Sequence, residues 1–190
     1  MNKFFSTILT VFIIGSIIIA ALYFGGGLDK VKEKIEKTTH PQKYSEYVSK
    51  YSAEFGVPEY ICYSVIKCES GFDRHAKSSS NALGLMQIKP STFADLCGRL
   101  GEKHDESMLY DPETNIKYGI YYLSLLYRRF GVWETAIAAY NAGPGRVSGW
   151  IADGLADEDG YLTEIPIEET RVYVERVTDA MKIYKKIYYQ

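Results

Sequence analysis

Helical runs that end at glycine dominate the sequence after residue 40. Apolar residues spaced three or four apart lead up to Gly56, and similar runs end at Gly71, Gly101 and Gly131. This spacing places apolar side chains on one face of an α-helix, and glycine favours a helix C-terminus because it adopts left-handed backbone angles without strain. No segment shows a convincing β-strand alternation, so the sequence predicts one compact, predominantly all-α domain.

Proline and glycine also predict where single helices begin and end. Pro58 is expected in the first turn of a helix that stops at Gly71, and Asp111-Pro112 is expected as the N-cap and first turn of a long helix. Gly143-Pro144-Gly145 should close a short helix, and residues 153–164 should form an acidic loop before a final helix.

The segment from Phe4 to Phe24 is almost wholly apolar. Its length is about that needed to cross a hydrocarbon core, so residues 1–25 are predicted to be a transmembrane anchor, with a cleaved signal peptide as the alternative. Residues 26–40 are rich in Lys and Glu and are predicted to be a solvated stalk, which leaves 41–190 for the folded domain. More lysines follow the apolar segment than precede it, which favours a cytoplasmic domain under the positive-inside rule.

Charge and cysteine usage exclude several classes of function. The chain has 22 Lys and Arg against 24 Asp and Glu and no long run of like charges, which argues against a nucleic-acid partner. Cys62, Cys68 and Cys97 show no C-x-x-C pair, so three free thiols or one disulfide to Cys97 remain open. The spacing of the three histidines matches no metal-ligand motif, and no metal site is expected.

Glu69 is the strongest candidate for a catalytic group. It follows Val65 by four positions and Ile66 by three, so it shares the apolar face of its predicted helix. Burial and the negative end of the helix dipole both favour a protonated carboxyl, which is the form that a general acid needs near neutral pH. Asp73, beyond the helix end, is interpreted as a turn residue and not as a second catalytic carboxylate.

Four segments, in this order, resemble the SLT-type lytic transglycosylases, which are relatives of goose-type lysozymes. They are Glu69-Ser70-Gly71-Phe72, Gly84-Leu85-Met86-Gln87, Ala139-Tyr140-Asn141-Ala142-Gly143, and Ile165-Pro166 followed by Glu169-Thr170-Arg171 and Tyr173. Asn81 stands where that family commonly has glycine, and asparagine tolerates the positive φ of a turn better than most residues.

The resemblance implies a lysozyme-like helical fold, with 41–190 as the catalytic domain and Glu69 as the catalytic residue. It also implies a sugar-binding groove lined by Ser78, Gln87, Tyr140, Asn141 and Glu169, whose amide, hydroxyl and aromatic groups suit acetamido sugars. The substrate would be the glycan strands of peptidoglycan.

In that family, one Glu protonates the glycosidic oxygen between N-acetylmuramic acid and N-acetylglucosamine, and a 1,6-anhydro sugar forms without water, metal or cofactor. A hydrolytic lysozyme on the same fold and a catalytically silent glycan-binding module are the alternatives. Because peptidoglycan lies outside the cytoplasmic membrane, the resemblance implies a single-pass membrane protein with an external catalytic domain, against the lysine distribution.

Overall fold

A computed structural model describes the backbone of residues 3–189 and the side chains of residues 8–21, 23 and 25–189. It divides into two compact units, of which one ends at Pro41 and the other begins at Gln42. Over the described backbone the chain forms nine α-helices and one short 3-10 helix, with isolated β-bridges but no β-strand. This confirms the predicted all-α class.

The N-terminal unit consists of α1 (Lys3–Phe24) and α2 (Gly27–Thr39). The helix predicted over Phe4–Phe24 is therefore present, but among the described residues no helix is both long and apolar enough to cross a membrane. The predicted stalk is helical, with no buried residue in α2.

The second unit contains the remaining helices. They are α3 (Ser45–Phe55), α4 (Glu59–Ser70), α5 (Pro90–Leu100), the 3-10 helix (Glu106–Tyr110), α6 (Pro112–Phe130), α7 (Trp133–Ala142), α8 (Pro144–Ala152) and α9 (Glu168–Tyr188). Helix α6 packs against α3 and α7, while α9 packs against α4 and α7. The core lies between these helices and includes Val65 of α4, Ile120 of α6 and Val177 of α9, all fully buried.

Most helix ends lie where the sequence predicts them. Gly56, Gly71, Gly101 and Gly131 each follow the last residue of a helix with a left-handed backbone, between φ 59° and φ 74°. The Asp111 carboxylate accepts hydrogen bonds from the backbone N–H and the hydroxyl of the residue three positions later, at 2.9 and 2.8 Å, as expected of an N-cap. Pro58 is the N-cap just before α4 and not a first-turn residue.

Helix α8 corrects one prediction. The sequence Gly143-Pro144-Gly145 was expected only to close α7, but α8 begins at Pro144. Proline is well suited to the first helical position, because its φ angle is already helical and its missing N–H has no partner there. Val147 and Trp150, three positions apart, bury one face of this short helix.

Candidate active site

Glu69 lies at the C-terminal end of α4, in the wall of a cavity of about 430 Å³. The same cavity is lined by all five of the other predicted site residues: Ser78, Gln87, Tyr140, Asn141 and Glu169. These residues come from three helices and the one loop between α4 and α5, spread over 100 positions of the sequence (69 to 169). The structure therefore brings together every residue that the sequence analysis proposed for the site.

Burial governs the acidity of Glu69. Removal from water raises the pKa of its carboxyl from 4.5 to about 7, while a hydrogen bond from Tyr173 and the positive charge of Arg176 oppose that rise. The Tyr173 hydroxyl donates to Glu69 Oε1 at 2.6 Å. Burial also raises the pKa of Tyr173 well above its ordinary value, so this hydroxyl stays a neutral donor. Glu69 can consequently hold a proton near neutral pH and release it within the same pH range.

Hydrogen bonds join the four sequence segments to one another. The Ser70 hydroxyl donates to the Leu85 carbonyl at 2.7 Å, and the Tyr140 hydroxyl donates to the Met86 carbonyl at 2.7 Å. The Thr170 hydroxyl donates to Asn141 Oδ1 at 2.7 Å, which leaves the two amide protons of Asn141 for another acceptor. With the bond from Tyr173 to Glu69, each segment is tied to at least one other.

Gln87 occupies a strained backbone position in the cavity wall. Its φ angle is +50°, a left-handed value that is uncommon for a residue other than glycine. Its side-chain amide donates to the carbonyls of Ala76 and Gly84 at 3.1 and 2.9 Å, which helps to hold this turn. Strain of this kind is concentrated at functional sites, where the surrounding structure maintains it. Asn81 also has a positive φ, +61°, as predicted.

Asn115 of α6 fixes the loop that carries Gln87, and sequence reasoning missed it. It is fully buried, accepts a hydrogen bond from the Met86 N–H at 2.7 Å and donates to the carbonyls of Leu83 and Leu109 at 2.9 and 2.8 Å. Gly84 has φ +77°, and a Cβ there would overlap both Asn115 and the Leu109 carbonyl. The only sequence signal was a polar residue on the buried face of a long helix.

Ser78 is half-buried, and its hydroxyl accepts from the Ala82 N–H at 3.0 Å, so it shapes the loop as well as lining the cavity. Asn141 and Glu169 are exposed in the cavity wall. Asp73 accepts from the His75 N–H at 2.9 Å, which agrees with its interpretation as a turn residue.

No group of His, Cys, Asp or Glu side chains in the described part of the chain is arranged to hold a metal ion. The three cysteines are free; Cys62 and Cys97 are buried and Cys68 is partly buried. Burial raises the pKa of Cys68, and raises that of Cys62 still more, so both stay thiols at neutral pH.

Comparison with protein families identifies residues 46–159, well over half of the chain, as a transglycosylase SLT domain. The chain belongs to this family. The soluble lytic murein transglycosylase of Escherichia coli (strain K12) is 36% identical to this SLT protein over 142 residues, which are 72% of this chain and 22% of the relative. Membrane-bound lytic murein transglycosylase C of Serratia proteamaculans is 33% identical over 181 residues, covering 82% of this chain and 50% of the relative.

Solved structures agree with this assignment. The 70 kDa soluble lytic transglycosylase of Escherichia coli matches with a TM-score of 0.73 and 32% identity over 80% of this chain and 25% of that one. An inactive mutant of lytic transglycosylase Slt from Pseudomonas aeruginosa matches with a TM-score of 0.70 and 30% identity over 79% and 25% of the two chains. The SLT protein therefore shares the fold of the part of these lytic transglycosylases that it matches, and it spans half or less of the length of these relatives.

Proposed function

We propose that this SLT protein cleaves the glycan strands of peptidoglycan as a lytic transglycosylase, with Glu69 as its single acid and base. The observation that carries the proposal is a carboxyl of raised pKa in a cavity that also holds amide, hydroxyl and aromatic groups. Family membership and relatives named as lytic murein transglycosylases support the choice of substrate.

In the first step, Glu69 donates its proton to the glycosidic oxygen between N-acetylmuramic acid and N-acetylglucosamine. The bond from that oxygen to C1 breaks, and the acetamido oxygen of the muramic acid stabilises C1. The carboxylate that remains on Glu69 accepts the Tyr173 hydrogen bond of 2.6 Å, which stabilises the charged form. Tyr173 thus offsets part of the cost of losing the proton in a buried site.

In the second step, the Glu69 carboxylate removes the proton of the C6 hydroxyl while the C6 oxygen bonds to C1. The product is a 1,6-anhydro ring, and Glu69 regains the proton that it gave up, so no net proton is consumed. Ordinary glycosidases need a second carboxylate. The pKa of Glu69 is raised first by burial and not by a neighbouring carboxylate, which favours the single-carboxylate route.

The test is product analysis of purified sacculi digested by the full chain. We expect 1,6-anhydromuramic acid ends by mass spectrometry; reducing N-acetylmuramic acid ends would instead identify a hydrolytic lysozyme. Glu69→Gln should abolish product formation while sacculus binding persists. Asp73→Asn is the matched control, since it makes the same carboxyl-to-amide change four residues away and keeps an oxygen for the His75 N–H. Equal activity of Glu69→Gln and wild type would remove Glu69 from the proposed role.

We also propose that the protein associates with the cytoplasmic membrane and acts on its outer side, where peptidoglycan lies. The support is the apolar surface of α1, where Leu9, Val11 and Phe12 are each more than 60% exposed, together with the membrane-bound name of one relative. Membrane fractionation and protease treatment of intact spheroplasts test this proposal. A domain recovered free of membranes, or one protected from external protease, would contradict it.

A further inference from the structure

Helix α2 carries an exposed apolar stripe, which consists of Leu28, Val31 and Ile35. These residues follow one another by three and four positions, so their side chains lie on one face of the helix. They are 41%, 49% and 58% exposed, and α2 contains no buried residue. Large apolar side chains that share one face of a helix and remain exposed indicate a surface that a partner covers. The catalytic role of Glu69 does not involve this surface.

Lysines border the apolar stripe on both sides. In a helix of about 3.6 residues per turn, Lys32 lies beside one edge of the stripe and Lys34 beside the other. Neither lysine forms an ion pair with a described residue. The acidic residues of α2 lie further from the centre of the stripe than these two lysines, and one of them, Glu33, pairs with Lys37 on the opposite face at 2.6 Å. The apolar stripe is therefore bordered by positive charge.

Helix α2 directly follows the apolar helix α1. Gly26 between them has a left-handed backbone, with φ +65°, so α1 and α2 do not form one continuous helix. Glycine permits this break because it adopts a positive φ without strain. A helix that lies along a lipid surface must break from a helix that enters the lipid. The position of α2 keeps its apolar stripe close to any lipid that α1 contacts.

The charges favour a lipid surface over a second copy of this chain as the partner. Two copies that paired through their stripes would bring Lys32 and Lys34 of both copies to the edges of one interface, where like charges repel. Helix α2 also has only 13 residues, which is short for a coiled coil. A bilayer instead offers hydrocarbon to the apolar stripe and anionic groups to the lysines, whose long stems reach the headgroups.

We propose that α2 lies on an anionic phospholipid surface, with its apolar stripe at the boundary between headgroups and acyl chains and with Lys32 and Lys34 beside the phosphate groups. This inference rests on the proposed membrane association through α1 and not on the catalytic role of Glu69. An interfacial helix binds through its buried apolar area and through attraction to anionic lipid, so each contribution is measurable. Residues 26–40, expected from the sequence to be solvated, then belong to the membrane-bound part of the protein.

Tryptophan reporters in the full chain, reconstituted into vesicles, test the position of α2. Val31→Trp places a reporter in the apolar stripe, and Glu33→Trp is the matched control on the opposite face. Because no residue of α2 is buried, neither change disturbs a buried contact. Wild type supplies the signal of the two native tryptophans for subtraction. Brominated acyl chains quench tryptophan on contact, so phosphatidylglycerol vesicles that carry them should quench Val31→Trp at least about three times as strongly as Glu33→Trp.

Charge variants in the Val31→Trp background test the role of the lysines. Replacing both Lys32 and Lys34 with glutamine should lower the ratio of surface-bound to free α2 by about 30-fold on phosphatidylglycerol vesicles. Replacing Lys30 and Lys37 with glutamine is the matched control. It removes the same charge from the far side of the helix, about one Debye length away, and should lower the ratio only about threefold. On uncharged phosphatidylcholine vesicles neither pair should have an effect.

Flotation of the same vesicles separates this inference from the proposed membrane association. A chain that floats with the vesicles while the two reporters are quenched equally would refute the lipid contact of α2 alone. A chain that does not float would refute the association through α1 and, with it, this contact. Blue-shifted emission of Val31→Trp without bromine quenching would identify protein, and not lipid, as the cover of the stripe. Equal effects of the two lysine pairs would overturn the role of Lys32 and Lys34.

Discussion

Replacing Glu69 with glutamine is expected to stabilise the folded protein at alkaline pH and to leave its stability unchanged at acidic pH. Glutamine has nearly the same shape as a protonated glutamic acid, and its oxygen can accept the 2.6 Å hydrogen bond from Tyr173. It cannot ionise, however, and so it avoids the penalty of a buried negative charge.

The magnitude follows from the raised pKa. The Glu69 carboxyl has a pKa of about 7 in the folded protein against an ordinary 4.5. One pKa unit corresponds to roughly 1.4 kcal/mol, so the folded protein loses about 3 kcal/mol of stability once the pH exceeds both values. The folded state keeps its proton where the unfolded state has lost it. Stability therefore falls as the pH rises from 4.5 through 7, and the half-buried side chain makes this figure an upper bound.

Urea denaturation of wild type and Glu69→Gln between pH 4 and 9 measures the effect. The difference in unfolding free energy should be near zero at pH 4, should grow through pH 7 and should level off above it. Glu102→Gln is the opposite control. Hydrogen bonds from Lys117, Tyr118 and His104 lower the pKa of Glu102 to about 2. That variant should lose stability at neutral pH, and its difference from wild type should begin to shrink only as the pH approaches 4, because the stabilisation by ionised Glu102 is lost as the pH falls from 4.5 towards 2. A Glu69→Gln difference that does not change with pH would refute the reasoning.

Two further predictions concern the surroundings of Glu69. Tyr173→Phe removes the hydrogen bond that lowers the pKa of Glu69. The alkaline limb of the pH-activity profile, expected near pH 7 in wild type from the pKa of Glu69, should therefore move to higher pH, with kcat reduced about tenfold; an unmoved limb would contradict this role. Gly84 has a φ of +77°, and Gly84→Ala would force a Cβ into the Asn115 side chain. This change should lower the free energy of unfolding by about 3 kcal/mol or more. Gly149→Ala, inside α8 with open space around the new Cβ, should be neutral or slightly stabilising in the same denaturation assay.

The candidate site was predictable from sequence to the extent that its residues belong to local patterns. Glu69 could be assigned to a buried helix face because Val65 and Ile66 precede it at helical spacing. The roles of Asn115 and Tyr173 could not be assigned, since each acts through a hydrogen bond to a distant part of the chain, 104 positions away for Tyr173 and Glu69. A side chain's partner across the fold leaves no trace in local periodicity.

The amino-acid sequence by itself determined the helical class, the glycine-terminated helix ends and the placement of a carboxyl on an apolar face. These features depend on backbone preferences and side-chain spacing within a few residues, which are local. Only the tertiary structure decided that Glu69 is desolvated enough to hold a proton near pH 7 and that Asn115 holds the loop of Gln87. Desolvation and charge proximity depend on which surfaces the packed helices bring together, and that is a property of the whole domain.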